Sequence, residues 1–269
     1  MCLETTIMKQ RFTLFIATLI LSVCFPLTAL SYDVLVNGIY YNLKEKTAEV
    51  TSGDNKYTGE ITIPKTITVY GKVYNVTIIR SDAFFECTSL TSVTIPNSVT
   101  SIRGGAFSGC PSLSSISVDP NNTIYDSRDN CNAIIRTSDN ALIVGCQSTI
   151  IPNSVTSIGS WAFYGCTSRT SVIIPNSVTS IGDWAFQYCS SLTSVTIPNS
   201  VTSIGIYAFR RCVNLKNVYC YAEKVPYTKT KAFEGSNVES AALYVPASAI
   251  KAYKTIEPWK RFGTIKTLD

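Results

Sequence analysis

The chain contains no histidine. That absence removes the side chain with an ordinary pKa nearest neutrality, and with it the commonest general base, the usual Ser-His and Cys-His nucleophile pairs and the commonest metal ligand. Charge is scarce as well, since Asp, Glu, Lys and Arg together make up 15% of the residues. The acidic residues are scattered and no pair recurs at corresponding places, so the paired carboxylates of glycoside hydrolysis leave no signature. The net charge of +5 comes from dispersed Lys and Arg rather than a cluster, which argues against a nucleic-acid-binding face. No close Cys-x-x-Cys pair stands in the chain, and beyond residue 31 no run is apolar enough to span a bilayer. Neither an enzyme nor a cofactor or metal is expected.

The first 31 residues have a basic start (Lys9, Arg11), an apolar run from Phe12 to Phe25 and a small-x-small end at Ala29-Leu30-Ser31. The run is too short for a helical span, which needs about 20 residues. It reads as a secretory signal peptide, and the protein as secreted or cell-surface. A rival reading makes Cys24 a lipid-modified cysteine, because Leu21-Ser22-Val23-Cys24 resembles a lipobox; the bulk of Val23 favours cleavage after Ser31.

What the chain has in abundance is itself. Ile174-Pro175-Asn176-Ser177-Val178-Thr179-Ser180-Ile181 stands again at 95–102, 151–158 and 197–204, and the later copies follow one another at 23 residues. A fixed short period marks a solenoid of stacked coils, each unstable alone. In the clearest unit Leu192, Val195 and Ile197 alternate with Ser194 and Thr196, a strand with its apolar face inward. Pro198 ends it and Asn199-Ser200 turns the chain. Val201, Ile204, Ala208 and Phe209 then point back to the core, and Ala208 to Cys212 has room for about one helical turn.

The unit resembles the BspA-like leucine-rich repeats, whose pattern is Leu-x-x-Val-x-Ile-Pro-x-Ser-Val-x-x-Ile-Gly-x-x-Ala-Phe-x-x-Cys. Leu90 to Pro96 with Ala106 to Cys110, Ser157-Ile158-Gly159 with Ala162 to Cys166, and the two following units carry the match. Arg169 departs from it where Leu belongs, and Arg103-Gly104 where Gly-x belongs. The resemblance implies a β-rich α/β leucine-rich repeat solenoid: a parallel strand ladder with short helical turns, closed by N- and C-terminal caps. It also implies adhesion or other protein-protein interaction, with host matrix or cell-surface proteins as partners. A glycan-binding module and a purely structural surface protein are the alternatives.

The expected organisation is a signal peptide at 1–31, an N-terminal β cap at 32–60, the solenoid at 61–246 and a C-terminal cap at 247–269. Val34 to Leu43 reads as a hairpin about Asn37-Gly38, and Ser248 to Phe262 alternates at helical spacing until Pro258. Between Val118 and Ile151 the repeat is stretched, and a hairpin inserted near 119–148 accounts for the excess. If it turns at Thr137-Ser138-Asp139-Asn140, Cys131 faces Cys146, which predicts a disulfide. Cys87, Cys110, Cys166, Cys189 and Cys212 instead share one slot of five repeats and read as a buried thiol ladder. Asn97, Asn153, Asn176 and Asn199 read as a ladder satisfying backbone groups. Asn75-Val76-Thr77 and Asn121-Asn122-Thr123 match the glycosylation triplet.

Two surfaces are candidates for a ligand. The slot before Ala-Phe holds Trp161, Trp184 and Tyr207, with Tyr164 and Tyr188 nearby and Arg210 and Arg211 at the end of the row. An outward aromatic column is costly unless it binds a protein or glycan; rings that merely cover the turns are the plainer reading. The second surface is the outer strand face, where Ser92, Thr94, Ser171, Ile173, Thr196 and Tyr219 point away from the core.

Overall fold

The computed structural model describes residues 32–268. The expected signal peptide, and the choice between Cys24 lipidation and cleavage after Ser31, lie outside them.

Each coil has three sides. On the first, the alternation at Leu192, Val195 and Ile197 buries those side chains completely, and strand Ser194–Ile197 pairs in parallel with Ser171–Ile173 and Asn217–Cys220. On the second, Ser-Ile dipeptides make two-residue strands that stack in register from Ser157–Ile158 through Ser180–Ile181 to Ser203–Ile204. This second ladder is too short to show as alternation in the sequence. On the third side the expected helical turn is absent. Tyr207 and Arg211, both at φ 56°, bracket Ala208-Phe209-Arg210 with left-handed residues that an α-helix excludes. The N–H groups there reach the neighbouring coil instead: Trp184 donates to Ile206 (2.9 Å), Phe186 to Ala208 (2.7 Å) and Tyr188 to Arg210 (2.9 Å). The architecture is therefore a nearly all-β solenoid; its described α-helix is the four residues Ile250–Tyr253, beside three short 3-10 turns.

The Ile-Gly step of the repeat has a steric cause. A Cβ on Gly182 would stand 2.6 Å from the backbone nitrogen of Ser160 and 2.8 Å from the carbonyl carbon of Gly159. The coils could admit it only by separating. Gly182→Ala is expected to destabilise by roughly 1–3 kcal/mol through this overpacking, read as a lower urea midpoint; an unchanged midpoint would mean the coil spacing is soft.

The core is a stack of rings and thiols. Phe163, Phe186, Phe209 and Phe233 lie face to face at 4.9, 5.2 and 5.3 Å between centroids. The five ladder cysteines are buried free thiols. Cys110, Cys189 and Cys212 donate to the carbonyls of Phe84 (3.0 Å), Phe163 (3.2 Å) and Phe186 (3.3 Å) in the preceding coils. Burial pushes Cys110 and Cys212 up to about 12 from the ordinary 9.0. The fold thus favours the neutral thiol, so this contribution is whole below about pH 9 and is lost as pH rises towards 12. The urea midpoint should fall across that window, and at pH 8 the native thiols should resist Ellman's reagent until the chain is unfolded.

The insertion splits both ladders. Strands Ala133–Arg136 and Ala141–Gly145 form the expected antiparallel hairpin, with Ile135 opposite Leu142 and Arg136 opposite Ala141. A bulge between Ile134 and Ile135 then shifts the register, so that Ile134 faces Val144 and Ala133 faces Gly145. The predicted disulfide is not formed for this reason: Cys131 and Cys146 are free thiols that enter different cores, one on each side of the hairpin. Ile134 and Val144 pack towards the N-terminal core, and Ala133, Ile135 and Leu142 towards the C-terminal one. A hairpin buried on both faces explains its continuous apolar runs. Gly145 occupies the level between the Phe84–Phe107 pair and the four-ring stack; a Cβ on it would stand 2.1 Å from the Phe163 ring.

Arg169, in the place of Leu, repairs the return of this insertion. Residues 146–150 form no strand, and the guanidinium donates to the carbonyls of Cys146 (3.3 Å), Gln147 (3.2 Å) and Thr149 (3.0 Å) while lying 5.2 Å over the Phe163 ring. Asn122 does the same on the outward side, donating to Pro96 and Val99 and accepting from Ile124 and Tyr125. The repeated asparagines do less than expected. Asn153, Asn176 and Asn199 are exposed, and what the row contributes to the backbone is the bond that Asn199 accepts from the Glu223 N–H at 3.1 Å.

At the front, strands Val34–Val36, Ile39–Leu43 and Thr47–Thr51 run antiparallel about the expected Asn37-Gly38 turn. At the back, helical structure beyond residue 248 is limited to Ile250–Tyr253 and the 3-10 turn Trp259–Arg261. The chain then adds strand Thr264–Thr267, which pairs in parallel with Ala242–Val245 and extends the long-strand ladder.

Candidate interaction surfaces

Trp161, Trp184 and Tyr207 do form a column. All three have left-handed backbones (φ 59°, 55° and 56°), the conformation Gly105 has at the same slot. Bulky residues rarely adopt it, since it crowds Cβ against the carbonyl. The tight third-side turn imposes it and aligns the side chains. Trp161 and Trp184 stack at 4.7 Å and 7°, and Tyr207 follows at 6.2 Å and 36°. The column is closed at both ends. Trp161 lies on Gly104, where a Cβ would stand 3.1 Å from the indole. Arg210 and Lys231 sit 5.0 and 5.8 Å from the Tyr207 ring centre. The ring faces meet one another, Gly104 or the Arg210 and Lys231 cations, and all three residues are half-buried.

The other predicted members separate from it. Tyr164 and Tyr188 meet edge to face at 5.5 Å and line a distinct hollow of about 490 Å³ with Glu86, Thr88, Pro111 and Thr167. Burial raises the Tyr164 pKa. Arg210 pairs with Glu234 at 3.4 Å, whereas Arg211 is exposed and lines neither feature.

The outer long-strand face differs between its halves. Towards the N-terminus it carries hydroxyls, with Thr94 and Ser117 bonded at 3.1 Å. Towards the C-terminus one row runs through register neighbours Ile173, Thr196, Tyr219, Tyr244 and Lys266. Ile173 is 73% exposed, and Ile150, one period earlier, is 77% exposed. Tyr219 and Tyr244 stack at 4.7 Å with the Lys266 ammonium 6.0 Å from the second ring. Sequence reasoning placed Ile173 and Tyr219 on this face but missed Tyr244 and Lys266, which lie beyond the regular units. The alternation Leu243-Tyr244-Val245 marks Tyr244.

Among solved structures, a leucine-rich repeat protein from Eubacterium ventriosum matches with a TM-score of 0.53 at 20% identity, over 77% of this chain and 63% of its own. The chain therefore spans less than two thirds of that neighbour. A leucine-rich repeat protein from Bacteroides ovatus matches with a TM-score of 0.42 at 20% identity, over 88% of this chain and 77% of its own. Curated proteins gave no match. The model of the BspA type leucine rich repeat region matches six copies over residues 55–133 and 143–254, and with its coils stacked as described the chain belongs to that family.

Proposed function

We propose that this is an exported interaction protein that binds a protein partner through the C-terminal half of its outer long-strand face, in the manner of an adhesin for matrix or cell-surface proteins. The observation that carries the reading is the row Ile173, Thr196, Tyr219 and Tyr244, with Ile173 73% exposed on the sheet and Ile150, one period earlier in the strandless return of the insertion, 77% exposed. Burying each such side chain against a partner is worth about 1.5–3 kcal/mol. The basic, apolar and small-residue order of the first 31 residues supports export. A glycan module at the aromatic column is disfavoured, because stacking on a sugar needs a free ring face and the column has its faces covered.

The test is surface plasmon resonance of residues 32–269 against a panel of immobilised matrix proteins. The paired change Ile150→Ser with Ile173→Ser should weaken binding at least tenfold while leaving thermal unfolding within a few degrees. Trp161→Ser, Trp184→Ser and Tyr207→Ser together should instead destabilise the fold and leave the affinity of the folded fraction unchanged. Binding that survives the first variant, is lost with the second and is inhibited by free glycans would sink the protein-partner reading.

A further inference from the structure

The residues that break the repeat gather at one place. Where the insertion divides the Ser-Ile ladder, a cleft of about 240 Å³ is lined by Ile102, Arg103, Gly104, Arg136, Ile143 and Trp161. A second hollow of about 370 Å³, lined by Glu49, Ile78, Arg80 and Ser81, shares Arg103 with it. Arg103 stands where later coils have the glycine of Ile-Gly.

Three guanidinium groups thus border two adjoining hollows, and two of them are matched. Arg80 pairs with Glu49 at 3.1 Å, and Arg136 holds Asp139 through two bonds of 2.9 and 2.6 Å. Arg103 is exposed and its guanidinium has no ion pair or hydrogen bond among the described residues. The backbone beside it is also incomplete. In intact coils a glycine N–H donates to the preceding isoleucine carbonyl, as Gly182 does to Ile158 (2.8 Å) and Gly205 to Ile181 (2.9 Å). The corresponding Gly159 N–H donates to Leu142 of the hairpin at 2.8 Å, which leaves the Ile102 carbonyl without its ladder donor. The Ile102 N–H is met by the Tyr125 hydroxyl at 3.0 Å.

The geometry points to this cleft as a binding site for an extended acidic segment of a partner protein. A peptide N–H completes the ladder at the Ile102 carbonyl, an Asp or Glu carboxylate pairs with Arg103, and an aliphatic neighbour packs on Ile143 and the Trp161 edge. Arg is suited to this because its planar fork takes both carboxylate oxygens. An extended peptide carries N–H donors at strand spacing, the spacing a β ladder continues, which favours it over an acidic polysaccharide. The site is separate from the outer long-strand face and does not depend on it.

Fluorescence anisotropy with a labelled Glu-Leu-Glu-Val-Glu peptide at low ionic strength tests the assignment. The full chain should bind it, and Arg103→Gly, which restores the residue of later coils, should weaken binding at least tenfold with unchanged thermal unfolding. Arg211→Gly, remote from both hollows, should bind as the parent does. The equivalent Lys-Leu-Lys-Val-Lys peptide should not bind. No detectable binding of the acidic peptide, equal binding by Arg103→Gly, or displacement by oligogalacturonate at matched charge as effective as by unlabelled peptide would each overturn it.

Discussion

Phe186→Ala is expected to destabilise the protein by about 3–5 kcal/mol, the range for emptying a buried aromatic site. The side chain is completely buried and lies between Phe163 at 4.9 Å and Phe209 at 5.2 Å, nearly parallel to both. Its loss therefore removes two ring contacts, each worth about 0.5–1.5 kcal/mol beyond area, and leaves a slot the shape of a ring. Collapse into that slot is opposed by the backbone. The Phe186 N–H donates to Ala208 and the Phe163 N–H to Ala185, both at 2.7 Å, so the flanking rings are held at the coil spacing. In a solenoid the interface between neighbours carries much of the stability, and Phe186 serves two interfaces. Urea unfolding followed by circular dichroism measures the effect. A loss below about 1 kcal/mol would show that the ring stack contributes little beyond filling volume.

Trp259→Ala should cost a similar amount, about 3–5 kcal/mol, but with a different distribution along the chain. Trp259 is fully buried, meets Phe233 and Tyr253 edge to face at 5.5 and 5.4 Å, and donates from its indole N–H to the buried Thr228 hydroxyl at 3.1 Å. Removing it uncovers part of the last ring of the stack, which Phe262 still meets at 5.4 Å, and unpairs Thr228 on that side. Because each coil contacts only its neighbours, the damage should begin at this end. Hydrogen exchange should show lost protection first in Tyr227–Thr228, Ala242–Val245 and Thr264–Thr267, with Ser157–Ile158 and Ser180–Ile181 retained. Uniform loss across all these strands would instead mean that the solenoid unfolds as one unit.

The period of 23 residues makes the coils, their inward residues and the family legible in the sequence, because stacking forces Leu192, Val195, Ile197, Val201, Ile204 and Phe209 to recur in identical slots. The hairpin insertion is equally visible as an excess in that period. Its register is not, since a single bulged residue between Ile134 and Ile135 carries no compositional mark, and with it goes the expected Cys131–Cys146 bond. The helical turn fails for a related reason: the left-handed backbone at Tyr207 and Arg211 is imposed by hydrogen bonds to the next coil, not by preference of those residue types.

The candidate surfaces divide in the same way. The column of Trp161, Trp184 and Tyr207 follows from spacing alone. Whether its faces are open depends on what lies above and below, and Gly104, Arg210 and Lys231 close it. Sequence by itself determined which residues repeat, because translation along a solenoid axis maps equal slots onto one another. Tertiary structure alone decided how the breaks in the repeat meet. The insertion brings Arg103, Arg136 and Trp161 to one cleft by interrupting a ladder whose hydrogen bonds must then be completed elsewhere, and that rearrangement depends on distances between coils that no local pattern records.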